Sequence, residues 1–239
     1  MIGNLSIYIA AHKQFDESIY PLNDMYTIMY QNDLSFNHNT IHLTDRFTKN
    51  YAKLFGEGCA IHYLYKYPKL VKDYIVFYQY GKYFRNFFNH EEDIIYLINK
   101  YGCLVSDPWI HKPDNLNVFY DDMSKSAVDI FIDILYNTYP NYIKTIEQWK
   151  ISKEHYCFNI FGMKKENFLE MCNFCFTILD KLCKYYNLSK DTDIYTSSIQ
   201  VNKFSRERAI GYFLEHLTHL YYCYTFKNKY MCAVAKNYG

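Results

Sequence analysis

The chain has 239 residues, half of them hydrophobic and a fifth aromatic, so one large domain with a substantial core is expected. Its 26 basic and 25 acidic residues leave a net charge of +1, and no block of Lys and Arg stands ready to neutralise phosphates, which excludes nucleic acid as the expected partner. No apolar run is long enough to predict a membrane span, and Met1 to Ala10 lacks the basic start and apolar core of a secretory signal. A cytoplasmic location is therefore expected.

Leu5 to Ala10 reads as a short buried strand ending at Ala11-His12-Lys13. Tyr20 to Asn50 carries scattered Asn, Asp and His with weak periodicity and reads as an irregular insert over the sheet edge. Glu57 to Tyr67 has helical spacing and stops at Pro68. The stretch Tyr74 to Phe84 opens with apolar and aromatic residues that predict a strand buried on both faces, then breaks at Gly81. If it runs parallel to the first strand, Gln79, Tyr80 and Lys82 meet His12 and Lys13 at the carboxyl edge of the sheet, where open α/β folds bind ligands.

Glu91 to Lys100 predicts a helix with acids in its first turn, Gly102 to Ser106 a strand, and Trp109 to Asp122 a loop. Ser126 to Asn137 is helical by its spacing. Tyr156 to Met163 reads as a strand, followed by a long amphipathic helix from Lys164. Cys172 and Cys175, the one C-x-x-C, fall on that helix and are expected as buried thiols rather than zinc ligands. The eight cysteines together suit a reduced compartment, where the sequons at Asn4 and Asn187 carry no meaning.

Asn187 to Lys203 is polar and irregular. It holds Asp191-Thr192-Asp193, which follows no buried strand and is not expected to bind metal. The last helix spans about Glu207 to Phe226, and the tail of the 207–239 segment carries three lysines that suit a solvated end better than a membrane contact. Glu215-His216 with His219 has the spacing of metal ligands but lacks a third partner. No P-loop, G-x-G-x-x-G, H-E-x-x-H or Ser-His-Asp order is present.

In this order the segments resemble a family of bacterial capsular-polysaccharide synthesis proteins related to β-galactofuranosyltransferases. Ile7 to Lys13 looks like the family's strand ending in His-Lys, Asp45 to Asn50 its Asp-Asn-Ile-Ser…Lys-Asn loop, and Glu57 to Lys66 its Glu-Leu-Thr…Lys helix. Tyr74 to Phe84 stands where the family has Tyr-Ile-Gly-Leu and then His-Tyr-Arg-Arg-Tyr-Phe. Phe158 to Met163 and Met171 to Leu179 are similar to its Asn-Met-Phe-Ile-Met strand and the helix after it, and Arg208, Gly211, Tyr212 and Glu215 to its Arg-x-x-Gly-Phe-x-x-Glu close. One departure stands out: His-Tyr-Arg-Arg becomes Gln79-Tyr80-Gly81-Lys82, losing a histidine and one of two arginines.

The resemblance implies an α/β fold: one GT-A-like (Rossmann-like) domain over 1–239, with a central, mostly parallel sheet flanked by helices. It implies a glycosyltransferase (a hexosyltransferase) that moves a sugar, with galactofuranose as the candidate, from a UDP-sugar to a growing capsular or lipopolysaccharide glycan at the inner face of the membrane. The expected chemistry is inverting and needs no cofactor or divalent metal, because cationic side chains replace the metal at the departing diphosphate. His12, Lys13, Gln79, Tyr80, Lys82, Asn159 and Arg208 are then the donor-binding residues, and Glu57 holds a sugar hydroxyl or caps its helix. Glu215 is the first candidate for the base that deprotonates the acceptor and Asp129 the second, with a structural salt bridge from Glu215 to Arg208 as the alternative. Asn159 alternatively ties down a loop. Because the Arg-Arg pair is eroded, a catalytically weakened carbohydrate- or nucleotide-binding relative is the rival function.

Overall fold

The computed structural model describes residues 4–19, 25–31, 34–84, 90–156, 158–203, 205–227 and 229–236. Its order is β1 (Leu5–Ala11), β2 (Tyr26–Tyr30), β3 (Asn39–His42), α1 (Arg46–Phe55), α2 (Gly58–Lys66), β4 (Tyr74–Gln79), β5 (Lys82–Phe84), α3 (Glu91–Tyr101) and β6 (Cys103–Ser106). Then come β7 (Trp109–Ile110), α4 (Asn115–Asp122), α5 (Lys125–Thr138), α6 (Ile143–Ile151), β8 (Glu154–His155), β9 (Phe161–Lys164), α7 (Lys165–Tyr185), α8 (Ala209–Thr225), β10 (Tyr230–Cys232) and β11 (Val234–Lys236).

Nine strands form one mixed sheet in the order β10-β6-β9-β4-β1-β2-β3, with β5 and β11 paired beyond the end of β4. Strands β1, β2, β3 and β4 are mutually parallel, and β9 runs antiparallel between β4 and β6. The chain steps from β1 outward to β2 and β3, then returns to place β4 on the other side of β1. That reversal opens a crevice at the carboxyl ends of β1 and β4.

The central strands are buried on both faces because helices cover both. Tyr8, Ala10, Ile75 and Phe77 face a large cluster that includes residues of α1, α2, α5, α7 and α8. Ile7, Ile9, Val76 and Tyr78 face a smaller one under α3. Each such side chain contributes about 1.5–3 kcal/mol by leaving water, so the alternation fixes the register. Leu5 pairs with Tyr74 and Ala10 with Gln79, and the Tyr80 N–H continues the ladder to the Ala10 carbonyl at 2.9 Å. The two strands therefore end side by side, as the sequence suggests.

Several local expectations are corrected. The stretch expected to be irregular contains β2, β3 and the start of α1; of it, residues 20–24 and 32–33 lie outside the described set. Asp45 is not in a loop of its own but caps α1, accepting from the backbone N–H groups of Phe47 and Thr48. The expected loop Trp109 to Asp122 holds β7 and α4, whose cap is Asp114. The expected strand from Tyr156 begins only at Phe161, because Phe158 and Asn159 both take positive φ (75° and 49°). The basic tail is not merely solvated: β10 joins the sheet beside β6, and β11 pairs with β5. Helix α7 carries Cys172 and Cys175 as buried free thiols.

Among the described residues, no helix is long and apolar enough to cross a membrane.

The turn between α1 and α2 is made at Gly56, with φ 54° and ψ −125°, a conformation essentially reserved for glycine. A Cβ there would also lie 3.0 Å from Arg208 Nη2. Gly56→Ala is expected to lower stability by about 1–3 kcal/mol in urea unfolding.

Candidate functional site

A cleft of about 460 Å³ lies at the carboxyl ends of β1 to β4. His12, Gln79, Tyr80, Lys82, Glu57 and Arg208 line it, together with Gln31 after β2 and Asp191 from a remote loop. This size suits a small-molecule ligand.

At its floor, Glu57 stands at the start of α2 without capping that helix. Its Oε2 accepts from Arg208 Nη2 at 2.7 Å, and its Oε1 accepts from Gln79 Nε2 at 2.7 Å and from Asn159 Nδ2 at 3.3 Å. Gln79 Oε1 in turn accepts from Lys82 Nζ at 2.6 Å. The two-residue turn Tyr80-Gly81, with Gly81 at φ 68°, folds β5 back on β4 and makes this possible, because it pairs Gln79 with Lys82. Arg208 is held protonated chiefly by Glu57.

His12 packs edge-on against Tyr80, ring centroids 4.3 Å apart, with Lys13 Nζ 5.4 Å from the same ring. Burial, and then the Arg208 charge, lower the His12 pKa despite the opposing pull of Glu57, so the ring is uncharged at neutral pH.

Glu215 projects from α8 toward the same region. The residue as a whole is half-buried, and burial first and Glu57 second push its pKa up to about 7; Lys82, a hydrogen bond from the Phe158 backbone N–H and Arg208 act in the opposite direction. A carboxyl poised near neutrality beside cationic groups can exchange a proton with a substrate.

The sequence-derived residues thus separate into three sets. His12, Gln79, Tyr80, Lys82, Arg208 and Glu57 meet at the cleft, while Lys13 faces the Tyr80 ring without lining the cleft and Glu215 lies close to Glu57, Lys82 and Arg208. Asn159 does not line the cleft. It is buried behind Glu57, with its Oδ1 accepting from Thr218 Oγ1 at 3.0 Å, so it positions the floor. Asp129 is elsewhere: it accepts from Tyr120 and from Lys125, which stand on α4 and α5, and touches no residue of the cleft. The ion pair of Arg208 is with Glu57, not Glu215.

Other residues of the cleft, Gln31 and Asp191 among them, are not placed there by the sequence. Asp191 lines it through an architectural role, accepting from the N–H groups of Lys53 and Leu54 where α1 is kinked at Tyr51. Asp193 accepts from Ser189 and Lys190 in its own turn. Both Asp191 oxygens and Asp193 Oδ2 accept from backbone N–H groups, and Gln79 Oε1 at the end of β4 accepts from Lys82. Among the described residues, no cluster of three or more His, Cys, Asp or Glu is arranged to hold a metal.

The fold matches the apo structure of the bifunctional glycosyltransferase WbbM at a TM-score of 0.72 and 16% identity, over 99% of this chain and 46% of that one. The chain therefore spans about half the length of that structure. A weaker match, at TM-score 0.42 and 10% identity over 77% of this chain and 62% of that one, is to the mannosyltransferase Ktr4p from S. cerevisiae. No curated protein matches. A family model described as "Domain of unknown function (DUF4422)" covers residues 6–226, nearly the whole length, and the chain belongs to that family.

Proposed function

We propose that the protein transfers a sugar from a nucleotide-sugar, with UDP as the carrier, to a hydroxyl of a glycan acceptor. The observation that carries this reading is Glu215, a carboxyl of pKa about 7 close to Glu57, Lys82 and Arg208, which line the cleft, with Lys82 and Arg208 bringing positive charge to the strand ends. The fold shared with a solved glycosyltransferase supports it. The diphosphate lies toward Lys82, Arg208 and His12. Glu215 takes the acceptor proton as the new glycosidic bond forms, and the bond to the diphosphate breaks on the opposite face of the anomeric carbon. The reaction inverts configuration, and side-chain cations rather than a metal stabilise the leaving group. Galactofuranose as the sugar, a capsular or lipopolysaccharide glycan as acceptor and work at the inner membrane face rest on the family resemblance of the sequence.

A second reading is a nucleotide-binding relative without turnover. It is favoured by the Glu57–Arg208 pair, which neutralises within the protein a charge that the leaving group would need. The two readings part in one assay, UDP release from a panel of UDP-sugars with and without acceptor. Transfer gives acceptor-dependent release; the second reading gives UDP binding and no release.

Glu215→Gln is expected to lower kcat by about 10²–10⁴-fold while UDP affinity is kept, and a Glu215→Gln enzyme turning over normally would overturn the assignment. In the active enzyme the kcat/KM profile should fall on the acid side of a pKa near 7, since the base works only when ionised. Stability gives an independent check. Because burial raises the folded-state pKa of Glu215, its stabilising share is complete below the unfolded value and is lost as pH rises through about 7. Thermal unfolding should therefore show Glu215→Gln raising Tm at about pH 8.5 but not at about pH 4.

A further inference from the structure

We infer that the indole of Trp109, on the short β7–β8 ribbon and braced edge-to-face by Phe158, is an aromatic platform that receives a sugar ring of the acceptor beside Glu215. This inference rests on the glycosyl-transfer reading and deepens it by assigning a glycan-binding subsite.

Trp109 is 49% exposed and its neighbour Ile110 is 61% exposed, which is unusual for two large apolar residues side by side on a strand. The indole meets the Phe158 ring in a T-shaped contact, centroids 5.4 Å apart. Phe158 is joined to the cleft in two ways. Lys82 Nζ lies 4.3 Å from its ring centroid, and its backbone N–H donates to the Glu215 carboxyl. Its positive φ of 75° is costly for a non-glycine residue, and the cost is borne where the backbone must present that N–H to Glu215 while its ring faces Lys82 and Trp109.

The ribbon is held firmly for so short an element. Trp109 pairs with His155 and Ile110 with Glu154, and the buried His155 ring packs against His216 and His219 of α8 at centroid distances of 4.5 and 5.1 Å. One helix therefore carries the candidate base on one side and supports the aromatic ribbon on another. Their spacing is set by a rigid element rather than by a loop.

The chemistry of this corner fits a sugar. A pyranose or furanose ring has an apolar C–H face, which an exposed indole can cover, and a rim of hydroxyls, which a carboxylate and an ammonium can bind. The half-exposed indole of Trp109 supplies the first, and Lys82 and Glu215, both in contact with Phe158, supply the second. Trp109 follows the carboxyl end of β6, two strands across the sheet from β4, so a glycan lying on it presents a hydroxyl toward Glu215 from beside the ends of β1 and β4, where the diphosphate belongs.

The test exploits the tryptophan content. The chain has two tryptophans, and Trp149 is 2% exposed, so any ligand-induced change in indole emission at the surface reports Trp109. A panel of methyl glycosides, pyranosides and furanosides, is titrated into the full chain. Emission and saturation-transfer NMR follow the glycosides, and calorimetry follows UDP separately. At least one glycoside should give a saturable emission change. Trp109→Ala should abolish that change and weaken glycoside binding about five- to tenfold, and Trp109→Phe should restore most of the binding seen by NMR. The inference is overturned if no glycoside perturbs the emission, or if Trp109→Ala binds glycosides as the wild type does. Binding of glycosides through Trp109 without any binding of UDP would uphold the platform and overturn the nucleotide-sugar reading instead.

Discussion

The Glu57 carboxylate is the interaction on which the cleft depends. It is nearly buried, and a buried carboxylate is tolerated only when its oxygens are paired. Its three donors come from three separate parts of the fold: Gln79 from the end of β4, Asn159 from the left-handed pair before β9, and Arg208 from the turn entering α8. Satisfying one charge thus pins three segments at the crevice. The pair with Arg208 is worth less than a fully enclosed one, because the guanidinium keeps 43% of its side chain exposed. That exposure is also what leaves Arg208 accessible to a ligand.

The same carboxylate sets the protonation of its surroundings. It contributes to raising the Glu215 pKa, opposes the depression of the His12 pKa and keeps Arg208 charged. One fixed negative charge therefore helps decide which neighbour can accept a proton and which stays cationic. Lys82 acts against it at Glu215, so the start of β5 and the start of α2 influence the candidate base with opposite signs.

Much of the scaffold was legible because it is periodic. The run at Tyr74, the first strand and the apolar stripe of α7 follow directly from alternation and three-to-four spacing, and the meeting of β1 with β4 follows once they are taken as parallel. The stretch before Asn50 was not legible, because β2 and β3 are short and β3 is largely exposed, so their apolar signal is diluted by Asn, Thr and His. Helix α1 escaped notice for a related reason: it kinks at Tyr51 and draws a cap from Asp191, 138 residues away at Lys53. The site was legible as a set of residue types but not as a set of partners. Glu57 and Arg208 are 151 positions apart, and local pattern cannot reveal that Arg208 chooses Glu57 over the much nearer Glu215. Asp129 stood out by residue type alone, and the structure pairs it with Lys125 at helical spacing, an arrangement local pattern does allow.

The arrangement also bears on how an anion could enter a cleft whose arginine is already paired. Were Arg208 the sole partner of Glu57, a diphosphate drawing it away would strand a buried carboxylate, and binding would have to overcome that penalty. Glu57 instead keeps the amides of Gln79 and Asn159 on its other oxygen, and Asn159 is itself fixed by Thr218. Arg208 can therefore turn from one anion to another while Glu57 stays hydrogen-bonded. Entry of negative charge would at the same time favour the protonated form of His12, which burial and Arg208 hold neutral in the ligand-free cleft. A cleft that looks short of cations for its task thus has one that can be reassigned and one that the ligand itself can create.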